Sequence, residues 1–241
     1  MTVTDGVRAF VDGASLIRRH GLGIYIWLPA LVSMAVVTVG LWFAFHYADV
    51  FGSWLVARLP GWLDFLSAIL VPLLYVLAVL LGTWLFGFIA IIVSSPFHSN
   101  LSASLEPHLN TTPETLAQTR PMVQELAAAV VRESRKLLYQ LPRLLGVLLL
   151  GLVPLINVAS PVLWFLFGAW MLAVQFADLP AENRHMTFAE TLELLRQNRG
   201  AALGYGICVT PLLAIPIVNF AVVPLAVAGG TVLWHRMRRA T

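Results

Sequence analysis

Long uncharged stretches alternate with short polar ones along this chain. Four runs carry no charged residue: Gly21–Ala48, Phe65–Leu105, Leu144–Ala177 and Gly200–His235. A helix crossing a hydrocarbon core of about 30 Å needs roughly 20 apolar residues. The pattern therefore predicts an all-α integral membrane protein with two long transmembrane helices, two broken re-entrant helical hairpins and a cytoplasmic helical region. The spans are expected at 24–46 and 65–93, the second stopping at "SSPF", Ser94–Phe97, where proline removes a helical donor. Trp27 and Trp42 suit interfacial anchors, and Tyr47–Asp64 reads as a connector. A polar helical region is expected at 98–142 and membrane-inserted hairpins at 144–177 and 201–235.

The hairpins come from a repeated interruption. "PLINVASPVL", Pro154–Leu163, and "PIVNFAVVPL", Pro216–Leu225, each place a proline, an asparagine three residues on, then a second proline. The flanking arms, Leu144–Val153, Val162–Ala177, Ala201–Ile215 and Ala226–His235, are about 15, 24, 22 and 15 Å long. None reaches about 30 Å, which predicts hairpins that enter and leave on one side.

Polar stretches have patterns too. Val3, Val7, Phe10, Val11, Ala14 and Ile17 share one helical face, predicting an interfacial helix over 1–20 rather than a signal peptide. "TTPE", Thr111–Glu114, and "TFAE", with Thr187 and Glu190, are capping boxes. Gly200 is expected to end the helix that Thr187 begins. Val123, Leu126, Val130, Leu137 and Leu141 form an apolar stripe, with Arg132, Glu133, Arg135 and Lys136 largely off it.

Composition agrees. Hydrophobic residues are 59% of 241 and charged residues 11%, against about a quarter charged in soluble domains. The net charge of +3 matters only once located. With re-entrant hairpins, 14 of the 15 Lys and Arg lie on one side together with both termini, so N- and C-termini are expected in the cytoplasm. A single cysteine, Cys208, excludes an intramolecular disulfide framework.

Broken backbone in a membrane is tolerated only inside protein or beside water, and interrupted helices at matching places point to a substrate path. Asn157 and Asn219 are the polar residues of those breaks; capping the turns is the simpler reading of each. In "IRRHGLGIYIWLP", Arg18 and Arg19 precede Gly21, Leu22 and Gly23 at the start of the first span. Guanidinium groups beside a glycine-lined helix start make a candidate oxyanion site. Arginines at a cytoplasmic membrane border also satisfy topology alone. Glu106, Glu133, Arg143, Asp178 and His185 form a candidate polar network near the cytoplasmic mouth. There is no phosphate-binding loop and no His-Glu-x-x-His, so no enzyme activity, cofactor, metal or nucleic-acid partner is expected.

From Pro161 to Phe188 the chain reads "PVLWFLFGAWMLAVQFADLPAENRHMTF". With Pro96-Phe97, Leu105-Glu106, Glu133, Lys136, "YQLPR" at 139–143, Pro154, "PIVN" at 216–219 and "PLAVAG" at 224–229, it resembles the CysZ family of bacterial inner-membrane sulfate transporters over nearly its whole length. The resemblance implies sulfate uptake for cysteine biosynthesis, a multi-pass helical fold in the lipid bilayer of the inner membrane, and a homo-oligomer. The family commonly has Gly-[Leu/Ile]-Arg at the first span, proposed to bind sulfate. Here Gly21-Leu22 is followed by Gly23, and Arg18 or Arg19 would have to substitute. A channel-like and a proton-coupled mechanism are both open. The alternatives are a non-transporting membrane scaffold, or transport of another oxyanion such as thiosulfate or molybdate.

Overall fold

Two of the prolines expected to interrupt helices, Pro96 and Pro224, lie inside them. The computed structural model describes residues 1–109, 122–154 and 157–240, without side chains at 26, 87–88, 90–96, 122–130 and 216–220. The helices are α1 (Val3–Arg19), α2 (Ile24–Val56), α3 (Asp64–Leu105), α4 (Met122–Gly151), α5 (Ser160–Asn183), α6 (Phe188–Gln197), α7 (Arg199–Leu213) and α8 (Pro216–Ala240). Single 3-10 turns cover Gly61–Leu63, Glu106–Leu109 and Asn157–Ala159. Pro29, Pro142, Pro180, Pro211 and Pro224 are all helical. One lost backbone hydrogen bond is a smaller defect than an open loop where water is scarce.

Several expected boundaries shift for that reason. The connector expected at 47–64 is helical through Val56, because "YADVFGSWLV" is itself apolar. Helix α3 continues through Ser94–Phe97 to Leu105 instead of stopping there. Two helix-turn-helix pairs, α4–α5 and α7–α8, stand where the interruptions predicted them, but their arms are unequal. Helices α5 and α8 have 24 and 25 residues, about 36 Å each, not 24 and 15 Å. Helix α7, with 15 residues, matches the expected 22 Å. The two proline–asparagine motifs also differ in placement. Asn157 opens the 3-10 turn before α5, whereas Pro216 begins α8 and Asn219 falls in its first turn. The TTPE capping box lies outside the described residues.

The chain divides into two units, Trp27–Phe97 and Met1–Ile26 with His98–Thr241. In the first, α2 and the preceding part of α3 form a helical hairpin. Gly40 lies against the Phe86 ring and Gly82 against Ala44. The Tyr75 hydroxyl donates to the Asp49 carboxylate, giving an acid in an apolar helix a partner. The outer surface is apolar, with Trp27, Trp62 and Trp84 at least 70% exposed. Segments Trp27–Val56 and Gly61–Phe86 are long and apolar enough to cross a membrane, as is Asn157–Asn183 in the other unit.

The second unit is organised around small residues. Helices α1, α5, α7 and α8 meet over Ala9, Phe10, Ala173, Ala177, Ala201, Tyr205, Ala226 and Val227. A Cβ at Gly6 would sit 2.0 Å from the Ala201 carbonyl, and one at Gly204 2.0 Å from that of Val3. Such close backbone approach is how helices associate where the hydrophobic effect offers little. Phe10 and Ile17, expected at the interface, belong instead to the packed face of α1. Gly6, Ala9, Phe10, Gly13 and Ile17 are its buried face, while Val3, Val7 and Val11 are exposed. The valines dominate hydropathy, but only the glycine side lets another backbone in. Gly200 likewise packs on the start of α1 within the first turn of α7, and α6 ends at Gln197 with Asn198 as its cap. The Thr187–Glu190 capping box forms as expected.

Candidate functional site

Helix α1 ends in a Schellman turn. His20 is the cap, Gly21 has φ 68°, and the Leu22 N–H donates to the Ile17 carbonyl at 3.0 Å. Leu22 then folds onto the core. Gly21 and Leu22 therefore terminate α1, and Gly23 leads into α2. A Cβ at Gly21 or Gly23 meets nothing within 4 Å. At Gly21 the positive φ, rather than space for a ligand, explains the glycine.

The Schellman turn leaves Arg19 on the rim of a polar pocket of about 270 Å³. Helix α1 contributes Asp12, Ser15 and Arg19; the turn after α3 contributes His108; α8 contributes His235, Arg236 and Arg239. Arg236 Nη2 lies 2.5 Å from Asp12 Oδ2, and Arg239 Nη2 donates to the Leu109 carbonyl at 2.5 Å. Arg19 has no ion-pair or hydrogen-bond partner among the described residues. His108 Nδ1 is 3.2 Å from the Ser104 carbonyl, and its ring lies tilted against that of His20, with centroids 3.7 Å apart and planes at 42°. Among the described residues the lining holds three guanidinium groups and one carboxylate, an excess of positive charge. Such a pocket has the charge and donors to hold a doubly negative oxyanion.

The sequence located only part of this. Arg18 is exposed and does not line the pocket. The α8 residues were overlooked although "HRMRR", His235–Arg239, places His235, Arg236 and Arg239 at i, i+1 and i+4 spacing, which gathers them on one side of a helix. His108 carried no periodic signal, since it sits in a 3-10 turn.

The expected polar network resolves into two ion-pair clusters. Arg132 grips Asp178 with Nε at 2.7 Å and Nη2 at 2.5 Å, and its Nη1 donates to the Met186 carbonyl at 2.5 Å. Lys136 Nζ lies 2.9 Å from Asp178 and 2.8 Å from Glu133. Burial alone would pull the Lys136 ammonium down; Asp178 and Glu133 outweigh it and hold it above the ordinary value. In the second cluster Arg184 lies 3.0 Å from Glu106, both out of solvent. The guanidinium groups of Arg184 and Arg238 lie 5.4 and 4.9 Å from the centre of the buried Trp234 ring. His185 is exposed with φ 53°. Arg143 lies over the Tyr139 ring at 3.6 Å. Asn157 is exposed, and the side chain of Asn219 is outside the described set.

These clusters orient α4. Lys136 and Arg132 point at α5, while Leu137, Leu138 and Leu141 are at least 54% exposed. The apolar stripe thus faces away from α5, and the charged side holds α4 to the rest of its unit.

The family model for "Sulfate transporter CysZ/Etoposide-induced protein 2.4" matches residues 9–224. The chain belongs to this family. It is 34% identical to the sulfate transporter CysZ of Pseudomonas fluorescens, across 99% of this chain and 96% of that one. It is 35% identical to the Vibrio cholerae protein of the same name, over 95% and 92%, and 35% identical to that of Pseudomonas aeruginosa, over 98% and 96%. The match takes in α1 from Ala9, the pocket residues Asp12 to Arg19 and His108, and both ion-pair clusters up to Arg184. The pocket arginines of α8 lie just beyond it.

Proposed function

We propose that this protein carries sulfate across the bacterial inner membrane for sulfur assimilation and cysteine biosynthesis, with the Arg19–Arg236–Arg239 pocket as its cytoplasmic oxyanion site. The carrying observation is the pocket itself: an excess of positive charge among the described lining residues and donors from three elements, in a chain whose relatives are named sulfate transporters. Both termini face the cytoplasm in this reading, because 14 of 15 Lys and Arg then share that side. The uncharged part of α4, Leu144–Gly151, is about 12 Å long and α7 about 22 Å. Each broken hairpin thus has one arm too short to span, which favours re-entry. The outward leucines of α4 suit lipid or a second copy of the chain, and support a homo-oligomer.

Energy decides how transport must run. A dianion entering a cell that is negative inside meets roughly 4.6 kcal/mol per 100 mV. At about 1.4 kcal/mol per decade, an uncoupled path equilibrates with internal sulfate roughly a thousand-fold or more below external. A channel then works only if metabolism drains sulfate; otherwise protons accompany it.

The test is radiolabelled sulfate uptake into proteoliposomes at zero potential, with and without an inward proton gradient. Uptake is expected to fall at least tenfold in Arg19→Ala/Arg239→Ala protein that still folds. Normal uptake by that variant would remove the site. No uptake by the wild type would favour a membrane scaffold, and stronger competition by thiosulfate or molybdate would favour another oxyanion. Overshoot under the gradient would mean symport, and indifference to it a channel.

A further inference from the structure

The α2–α3 hairpin carries an open groove of about 450 Å³ along its apolar outer surface. Small residues, Ala44 and the buried Ala48 and Gly82, leave the space between the two helices, and the exposed rings of Phe43, Tyr47 and Phe51 border it on the α2 side. From Phe43 to Phe51 the groove runs about 12 Å along the helix. The row of rings continues beyond it. Phe51 stacks on Trp54 with centroids 5.5 Å apart, and the Arg58 guanidinium lies 4.1 Å from the centre of the Trp54 ring. An apolar groove thus leads, along aromatic side chains, to a cation. Arg58 is the one Lys or Arg between Arg19 and Arg120. The acids flanking it in sequence are Asp49, which accepts the Tyr75 hydroxyl, and Asp64 at the start of α3; neither forms an ion pair with it among the described residues.

We propose that this groove holds an acyl chain of an anionic phospholipid of the bilayer, with Arg58 on the headgroup phosphate. Both flanking segments, Trp27–Val56 and Gly61–Phe86, are long and apolar enough to cross a membrane, which puts the groove at the depth of acyl chains. Apart from the Tyr47 hydroxyl its lining side chains are apolar, so it suits a hydrocarbon chain and offers little to a polar solute. Trp54, Arg58 and the 77% exposed Trp62 stand where the hairpin turns, the level at which aromatic rings and cations meet headgroups. A guanidinium matches phosphate oxygens bidentately. A net-negative headgroup is preferred over a zwitterionic one, whose own ammonium competes with Arg58 for the phosphate. With the N-terminus in the cytoplasm α2 runs outward, and the lipid belongs to the outer leaflet. Seated there, it fills the space beside Ala48 and Gly82 and joins α2 to α3 along that side.

Native mass spectrometry of the full-length protein released from bilayers of equimolar phosphatidylglycerol and phosphatidylethanolamine tests this, with wild type, Arg58→Gln, Ala78→Phe and Leu80→Phe compared. The wild type is expected to retain phosphatidylglycerol about fivefold over phosphatidylethanolamine, the factor that one arginine gives toward an anionic headgroup. Arg58→Gln, a change at an exposed side chain, is expected to bring the two lipids within about twofold of each other. Ala78 lines the groove and Leu80 does not. Ala78→Phe is therefore expected to lose bound lipid of both kinds, and Leu80→Phe to behave as the wild type. If Ala78→Phe does not fold, Arg58→Gln decides alone. Equal retention of the two lipids by the wild type, or a preference that survives Arg58→Gln, would overturn the phosphate contact and the proposal with it. Lipid kept by folded Ala78→Phe protein would remove the groove as its seat. A lipid-free dimer that separates in Ala78→Phe would give the groove to a second copy of the chain. None of these outcomes turns on the oxyanion pocket.

Discussion

Lys136 Nζ lies 2.9 Å from Asp178 Oδ2, and the two side chains are 2% and 0% exposed. Arg132 holds the other face of the same carboxylate. One acid thus neutralises two cations that are buried between α4 and α5. Removing one member of a buried pair costs about 3–5 kcal/mol, because its partner stays charged without compensation. Asp178→Ala is expected to destabilise the protein by that amount in thermal unfolding. Glu133→Ala removes a carboxylate that is 56% exposed and is expected to cost about 1 kcal/mol or less. Equal effects would mean that Asp178 is not the keystone of this cluster.

Lys136 also sets a pH window. Its folded value is raised above 10.5, so its contribution is fully present below 10.5 and lost as pH climbs through the raised value. Wild-type thermal stability is expected to decline on that alkaline limb. Lys136→Met should start lower and lack that part of the decline. An unchanged alkaline limb in the variant would show that other groups account for it.

Glycine packing makes a sharper steric prediction. Gly6→Ala and Gly204→Ala each put a methyl group 2.0 Å from a carbonyl oxygen on the facing helix. Both are expected to lose about 1–3 kcal/mol as α1 is forced off α7. Gly23→Ala meets nothing within 4 Å and is expected to leave the melting temperature unchanged. A measurable loss there would mean that something covers Gly23 in the assembled protein.

The membrane class, the helical content and the places of the two helix-turn-helix pairs were legible because they rest on long uncharged runs and prolines. The arm lengths were not, since Pro224 reads as part of a turn yet lies within α8, and α5 runs on past Asp178, where the uncharged run ends. The partners of α1 and α4 were not legible, because Gly6 and Gly13 of α1 carry no hydropathy signal and Arg132 and Lys136 are buried only by meeting Asp178 on α5. Of the candidate site, Arg19 was found from its place at the first span. Arg236 and Arg239 join it only because α8 returns beside α1, a tertiary fact with no local pattern beyond a basic C-terminus.

Arg132 does a second thing that Lys cannot. Besides its fork on Asp178, its Nη1 reaches the Met186 carbonyl, fastening the turn where His185 has φ 53°. That turn also carries Arg184, the partner of Glu106. Arg132→Lys keeps the charge but has one nitrogen in place of the fork. The variant is expected to hold Asp178 and release Met186, losing about 1–3 kcal/mol. Amide exchange across 184–187 should speed up with little change in α7, which is packed independently by its glycines. Exchange that stays slow at 184–187 would mean that the Thr187 cap and the Arg184–Glu106 pair hold the turn without Arg132.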